Sequence, residues 1–204
     1  MKNILIRQFP LYRFLWYCEK SGLEKKVLDC GAGGTLPPLV LFKQYGYETH
    51  GIEISEKQVS HAQEFCKEHG LEIEIIQGDM RQLPYEDRSF SFVFSYNTIF
   101  HLTKKDMKVA INEIKRVLKK EGLFYVNFLT TEDGLYGEGE ELAKGEFVQI
   151  MGEERVLHTC LEDDELKDFL EGFELIYFDK KIERRPEQWS DYTAGFYDCI
   201  LRKK

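Results

Sequence analysis

The chain of 204 residues lacks any run near the roughly 18 to 20 apolar residues of a membrane helix, so no membrane span is expected. It lacks paired cysteines. Cys18, Cys30, Cys66, Cys160 and Cys199 are scattered, odd in number and without a Cys-x-x-Cys spacing. That pattern argues against a zinc knuckle or a disulfide framework. It reads instead as small buried side chains in a reducing compartment. Positive charge is also in deficit, with 28 Lys and Arg against 36 Asp and Glu. A nucleic-acid backbone would be repelled unless the basic residues cluster. The short groups Lys104-Lys105, Lys180-Lys181, Arg184-Arg185 and Arg202-Lys203-Lys204 read as solvated faces or charged strand edges. His50, His61 and His69 show no ligand spacing, and no metal is expected. Met1 to Arg7 carries neither a long apolar stretch nor a small-residue cleavage site, so it does not read as a signal peptide. A cytoplasmic protein without a membrane or nucleic-acid partner, a monomer or homodimer, is the expectation.

What is present fits one α/β domain over residues 1–204. Phe9 to Ser21 reads as an amphipathic helix within an N-terminal segment, 1–24, whose Tyr12, Phe14 and Trp16 are lid candidates as well as core candidates. Lys26 to Cys30 is a short buried strand before a glycine loop, Gly31 to Gly34. Thr35 to Tyr45 reads as a helix with Pro37 and Pro38 in its first turn. Strands are expected at Thr49 to Ile54, Glu72 to Ile76, Ser91 to Ser95 and Gly122 to Leu129, with helices at Glu56 to His69 and Lys104 to Lys119. Ser55 with Gln58 fits a capping box. This alternation implies a parallel sheet with helices on both faces. Thr131 to Lys144 reads as an acidic loop, Phe147 to Ile150 and Arg155 to Thr159 as a hairpin about Gly152, and Asp163 to Leu170 as a helix. Two alternating strands, Leu175 to Ile182 and Phe196 to Arg202, are joined by a turn-rich segment from Arg184 to Ala194 and should pair antiparallel.

The most informative stretch is Val27-Leu28-Asp29-Cys30-Gly31-Ala32-Gly33-Gly34. A strand ending in glycines before a helix brings bare backbone and free amides close to a ligand. Alone, such a loop serves a nicotinamide, a flavin, an adenosylmethionine or only a tight turn. Three details narrow it. Leu36 stands where the dinucleotide pattern needs a small residue. Asp29 at the strand end suits a cationic ligand end better than a pyrophosphate. No Gly-Lys-Ser/Thr follows, so it is not a P-loop. Glu53 ends the second strand nineteen residues after Gly34, close to the ~20 of a ribose-binding carboxylate. Asp79, in Gln77-Gly78-Asp79-Met80, follows the third strand. It is placed to accept from an adenine amine, with Met80 against the ring. A carboxylate after each of three successive strands marks the ligand-binding edge of an open α/β sheet.

With these residues in hand, the chain resembles the class I S-adenosylmethionine-dependent methyltransferase family. The likeness lies in Val27 to Gly34, Glu53, Gly78-Asp79-Met80, Phe92 to Asn97 and Glu113 to Gly122. It covers about residues 25 to 130 well and the later strands in outline. The resemblance implies a Rossmann-like, doubly wound, seven-stranded sheet, mostly parallel, with an antiparallel C-terminal strand inserted beside the fifth. It implies S-adenosyl-L-methionine as cofactor and S-adenosyl-L-homocysteine as product. Asp29, Gly31, Ala32 and Gly33 would hold the methionine end, Glu53 the ribose, and Asp79 with Met80 the adenine. Ile54 and Ser95 complete the expected cofactor contacts. Cys30 departs from the glycine, serine or other small residue common there.

Methyl transfer from a sulfonium is an in-line displacement, so the protein mainly aligns the reactants and excludes water. The acceptor is expected just past the fourth strand. There Tyr96 and Asn97 are candidates to orient it, and His101 is a candidate general base or a cofactor contact. Tyr136, Arg155 and His158, from an inserted segment 131–160, are candidates to line the acceptor pocket. No Asn/Asp-Pro-Pro-Tyr run is present, which argues against adenine or glutamine methylation. A small-molecule acceptor is the leading expectation. The alternatives are an RNA or protein methyltransferase, a noncatalytic adenosylmethionine-binding module, and a nicotinamide oxidoreductase.

Overall fold

A computed structural model describes residues 9–184 and 192–204. The expectation for Met1 to Arg7 and most of the turn-rich segment after Arg184 therefore lies outside the described residues. The helices are α1 (Phe9–Ser21), α2 (Leu39–Gln44), α3 (Glu56–His69) and α4 (Lys104–Val117). The strands are β1 (Lys26–Cys30), β2 (Glu48–Glu53), β3 (Glu74–Gln77), β4 (Phe90–Ser95), β5 (Leu118–Thr130), β6 (Glu140–Ala143), β7 (Glu146–Met151), β8 (Glu154–Leu161), β9 (Phe173–Arg184) and β10 (Thr193–Lys203).

The main sheet runs β3-β2-β1-β4-β5-β10-β9. Its first five strands are parallel. β10 is antiparallel to both β5 and β9, as expected of the inserted final strand. A smaller antiparallel unit, β6-β7-β8, grows from the same sheet. β8 joins β5 through Leu129–Cys160 and Thr130–Leu161, where β4 has already ended.

Two apolar layers cover the sheet. On one side Met107, Ala110, Ile111, Ile114 and Val117 form the buried stripe of α4, spaced three and four apart as a helix face requires. On the other, Phe14 of α1 packs edge-on against Phe42 and Phe94 and beside Tyr125. Each such fully buried side chain contributes roughly 1.5–3 kcal/mol. Phe14 is thus core, while Trp16 is 56% exposed and touches Tyr17. The five cysteines are buried and unbridged. Among the described residues no helix is long and apolar enough to cross a membrane.

Four sequence expectations are corrected. α2 begins at Leu39 rather than Thr35, because consecutive prolines push the residue before each of them out of the helical region. α4 stops at Val117, and β5 starts at Leu118, which already pairs with Phe90. The acidic loop 131–144 ends in a strand, β6. The expected helix from Asp163 to Leu170 is only a 3-10 turn, Leu166–Phe169. There Asp163 is drawn to Lys180 and Tyr197, and Glu165 to Lys104 and the Glu162 amide.

Candidate functional site

The C-terminal ends of β1, β2, β3 and β4 open onto a cleft of about 320 Å³. Gly31, Glu53, Ile54, Asp79, Met80 and His101 line it together. Two of the three strand-end carboxylates therefore meet in one space. Asp29 sits just beneath, at the end of β1, 1% exposed. Burial, and then the charge of Glu53, push its carboxyl well above the usual range. Its Oδ2 has no hydrogen-bond partner among the described residues. A buried polar atom left without a partner is costly, and a cation nearby would relieve it.

Glu53 is held in place before any ligand arrives. Its Oε2 accepts from the Gly33 amide at 3.2 Å and its Oε1 from the Ser55 amide at 2.9 Å. The expected capping box at α3 is therefore half formed. Ser55 accepts from the Gln58 amide at 3.4 Å, and the Ser55 amide turns to Glu53 rather than to Gln58. The glycine loop is knitted to β2 by Gly31 and Ala32 amides, both donating to the Ile52 carbonyl.

Glycine is required here on steric grounds. A Cβ at Gly31, whose φ is +107°, would lie 2.2 Å from Thr98 Oγ1. One at Gly33 would lie 2.8 Å from Glu53 Cγ. The loop is a cradle that side chains would fill.

Asp79 is gripped by Arg81. Its Oδ2 accepts from Nε at 2.9 Å and Nη2 at 2.6 Å, while Arg81 Nη1 reaches Asp106 at 3.0 Å. The guanidinium holds the Asp79 carboxyl below its ordinary range. Arg81, Thr98, Asp106 and Leu157 belong to the cleft and were not singled out in the sequence. Arg81 had a local signal, two residues after Asp79. Leu157 had none, since β8 arrives from far along the chain.

His101 lies in a 3-10 turn, Ile99–His101, after β4. Its Nδ1 donates to the Leu157 carbonyl at 2.9 Å, which leaves Nε2 as the free acceptor of the neutral ring. Crowding by the protein lowers its pKa, although the ring edge remains exposed at the cleft rim. His158 stands edge-on to it, centroids 4.8 Å apart, and is itself buried. Thr159 donates to the Leu102 carbonyl at 2.7 Å, and Glu146 accepts from the Lys104 amide at 2.7 Å. The β7–β8 hairpin is thereby stapled to the turn that carries His101.

The remaining candidates lie elsewhere. Ala32 and Ser95 are wholly buried and do not line the cleft. Tyr96 and Asn97 face a second depression of about 300 Å³, bordered also by Phe9, Phe196 and Asp198. Asn97 takes a left-handed φ of 53° and exchanges two hydrogen bonds with Asn127, at 2.8 and 2.6 Å. Tyr136 packs on Phe147, and Arg155 pairs with Glu140 at the surface.

Residues 28–126 match a family described as a methyltransferase domain. The chain is similar to a sterol 24-C-methyltransferase of Gibberella zeae, with 35% identity over 52% of this chain and 28% of that protein. It is similar to a sarcosine/dimethylglycine N-methyltransferase of Halorhodospira halochloris, with 25% identity over 84% of this chain and 59% of that one. The chain thus spans less than two thirds of either relative. Its fold is similar to the crystal structure of a SAM-dependent methyltransferase from Methanosarcina mazei, with a TM-score of 0.76, 22% identity, and coverage of 92% of this chain and 96% of that one.

Proposed function

We propose that the chain carries a class I S-adenosylmethionine-dependent methyltransferase domain, that its cleft binds S-adenosylmethionine and that the protein methylates a small-molecule acceptor, a reading supported by the methyltransferase-domain match over residues 28–126 and by the fold. The observation that carries this reading is the pairing of a preset Glu53 with the unpartnered, buried Asp29 across one glycine cradle. The residues fit the cofactor. Glu53 offers acceptors to vicinal hydroxyls, Asp29 offers an anion to an ammonium and sulfonium end, and Asp79 with Met80 offers an acceptor and an apolar face to adenine. Bound there, the cofactor supplies an activated methyl group on sulfur.

The protein's own work is then binding, alignment and exclusion of water. Arg81 presets Asp79 by a two-pronged contact. Ile54 and Met80 form the apolar part of the cleft. We assign His101 to the donor side, where its Nε2 accepts a hydrogen bond, and Tyr96 and Asn97 to the acceptor side. The N-methyltransferase and C-methyltransferase relatives both support a small acceptor, as does the absence of a basic excess in the chain.

Calorimetric titration tests the reading. Glu53→Ala should raise the Kd for S-adenosylmethionine by roughly 5- to 150-fold, equivalent to the ~1–3 kcal/mol cost of unpaired hydroxyls. Wild-type affinity in this variant would remove Glu53 from the site.

A further inference from the structure

The second depression is tied to the donor cleft by a short chain of contacts. Asp198 of β10 is in register with Asn127 of β5. Asn127 exchanges hydrogen bonds with Asn97, and the next residue, Thr98, lines the donor cleft. The turn after β4 therefore borders both spaces, with Tyr96 and Asn97 at the depression and Thr98 and His101 at the cleft.

The depression has aromatic walls, from Tyr96, Phe196 and Phe9. Its ionisable groups are Lys181, Glu183 and Asp198. Lys181 and Glu183 pair with each other. Lys181 and then Arg13 act on Asp198 through space, against Asp179, and Arg13 is itself stacked on the Tyr177 ring at 4.3 Å. Among the described residues no cation is in direct contact with Asp198, which is 3% exposed, with Oδ1 accepting from the Tyr125 hydroxyl at 2.5 Å.

Resting on the methyltransferase reading above, we infer that this depression is the acceptor pocket and that its acceptor is a small primary or secondary amine, held by Asp198 between the aromatic walls. Aromatic faces attract an ammonium, and a carboxylate at the base fixes its position. The volume, near the lower end for ligand pockets, limits the acceptor to a small molecule. Burial raises the Asp198 carboxyl above its usual range, so it takes up a proton more readily than a surface carboxylate.

The step balances. An amine bound as its ammonium gives a proton to Asp198 and regains its lone pair. The nitrogen then forms a bond to the methyl carbon as the carbon–sulfur bond breaks, and that electron pair stays on sulfur. The methylated nitrogen emerges as an ammonium, and the proton on Asp198 leaves to solvent.

The test is calorimetry with benzylamine, benzyl alcohol and benzoate as probes, on protein saturated with S-adenosylhomocysteine. Benzylamine should bind at least tenfold more tightly than the alcohol, and benzoate should not bind. Asp198→Asn, which keeps an acceptor for Tyr125, should abolish the preference while leaving the S-adenosylhomocysteine titration and the thermal midpoint unchanged. Equal binding of amine and alcohol, or a preference that survives Asp198→Asn, overturns the inference while cofactor binding still stands. Failure of wild type to bind S-adenosylhomocysteine overturns the methyltransferase reading instead. Should Asp198→Asn unfold, Phe196→Ala is the second variant, expected to weaken benzylamine and leave S-adenosylhomocysteine binding unchanged. No effect on benzylamine overturns the aromatic part.

Discussion

Replacing His158 with asparagine isolates a pH dependence built into the β7–β8 hairpin. His158 is 4% exposed, and its Nδ1 faces Gln149 Oε1. Gln149 spends its own amide hydrogens on the Leu135 and Glu138 carbonyls, so its oxygen accepts and His158 donates. Burial first, and His101 second, lower the His158 pKa from 6.5 to about 4. The unfolded chain therefore takes up this proton near pH 6.5, and the folded chain resists until about pH 4. Stability from this group is complete above the unfolded value and is lost as pH falls through that window. At about 1.4 kcal/mol per pH unit, the loss by pH ~4.5 is about 2.5 kcal/mol. Asparagine keeps a donor toward Gln149 and cannot titrate. Urea unfolding of both proteins at pH ~7.5 and ~4.5 should show the variant gaining about 2.5 kcal/mol relative to wild type on acidification. Carboxylates common to both proteins cancel in that difference. A relative change below about 0.5 kcal/mol would refute the reasoning, because it would mean His158 is protonated as easily folded as unfolded.

Other substitutions probe the remaining elements. Gly31→Ala should destabilise the fold and weaken S-adenosylmethionine binding, and Thr98→Gly in the same chain should restore part of the loss by removing the 2.2 Å clash. The positive φ keeps the rescue incomplete, and thermal melts of the single and double variants measure it. Phe14→Ala should cost about 3–5 kcal/mol by urea unfolding, since a fully buried ring leaves a cavity among Phe42, Phe94 and Tyr125. His101→Ala should raise the Kd for S-adenosylmethionine. Unchanged affinity with lower turnover would return His101 to the role of general base. The His101 pKa is lowered, so wild-type cofactor affinity should hold at neutral pH and fall only on acidification, as Nε2 gains a proton and stops accepting.

The strand-end part of the cleft was legible because its determinants are local. Asp29 and the glycines share one strand–loop unit, and Glu53 and Asp79 each follow their own strand. The β-strand period and the glycine punctuation expose such units in a linear reading. The second depression was not legible in the same way. Asp198 reads as one more alternating residue of a late strand. Only the insertion of β10 between β5 and β9 sets it beside Asn127. Leu157 and His158 reach the turn after β4 through a hairpin anchored more than fifty positions away in sequence. The reversal of Asn97 likewise depends on a partner thirty residues downstream. Where a side chain's role is decided by long-range pairing, spacing along the chain carries little information about it.

The place of β10 bears on how the polypeptide matures. As synthesis proceeds, β5 emerges with a raw flank from Leu123 to Leu129, and β9 follows with nothing to lie against. Only when β10 is made can it slot between them and zip both flanks at once. Until then two long strands offer unsatisfied amides and carbonyls to any neighbouring chain, a liability for clumping in the newborn protein.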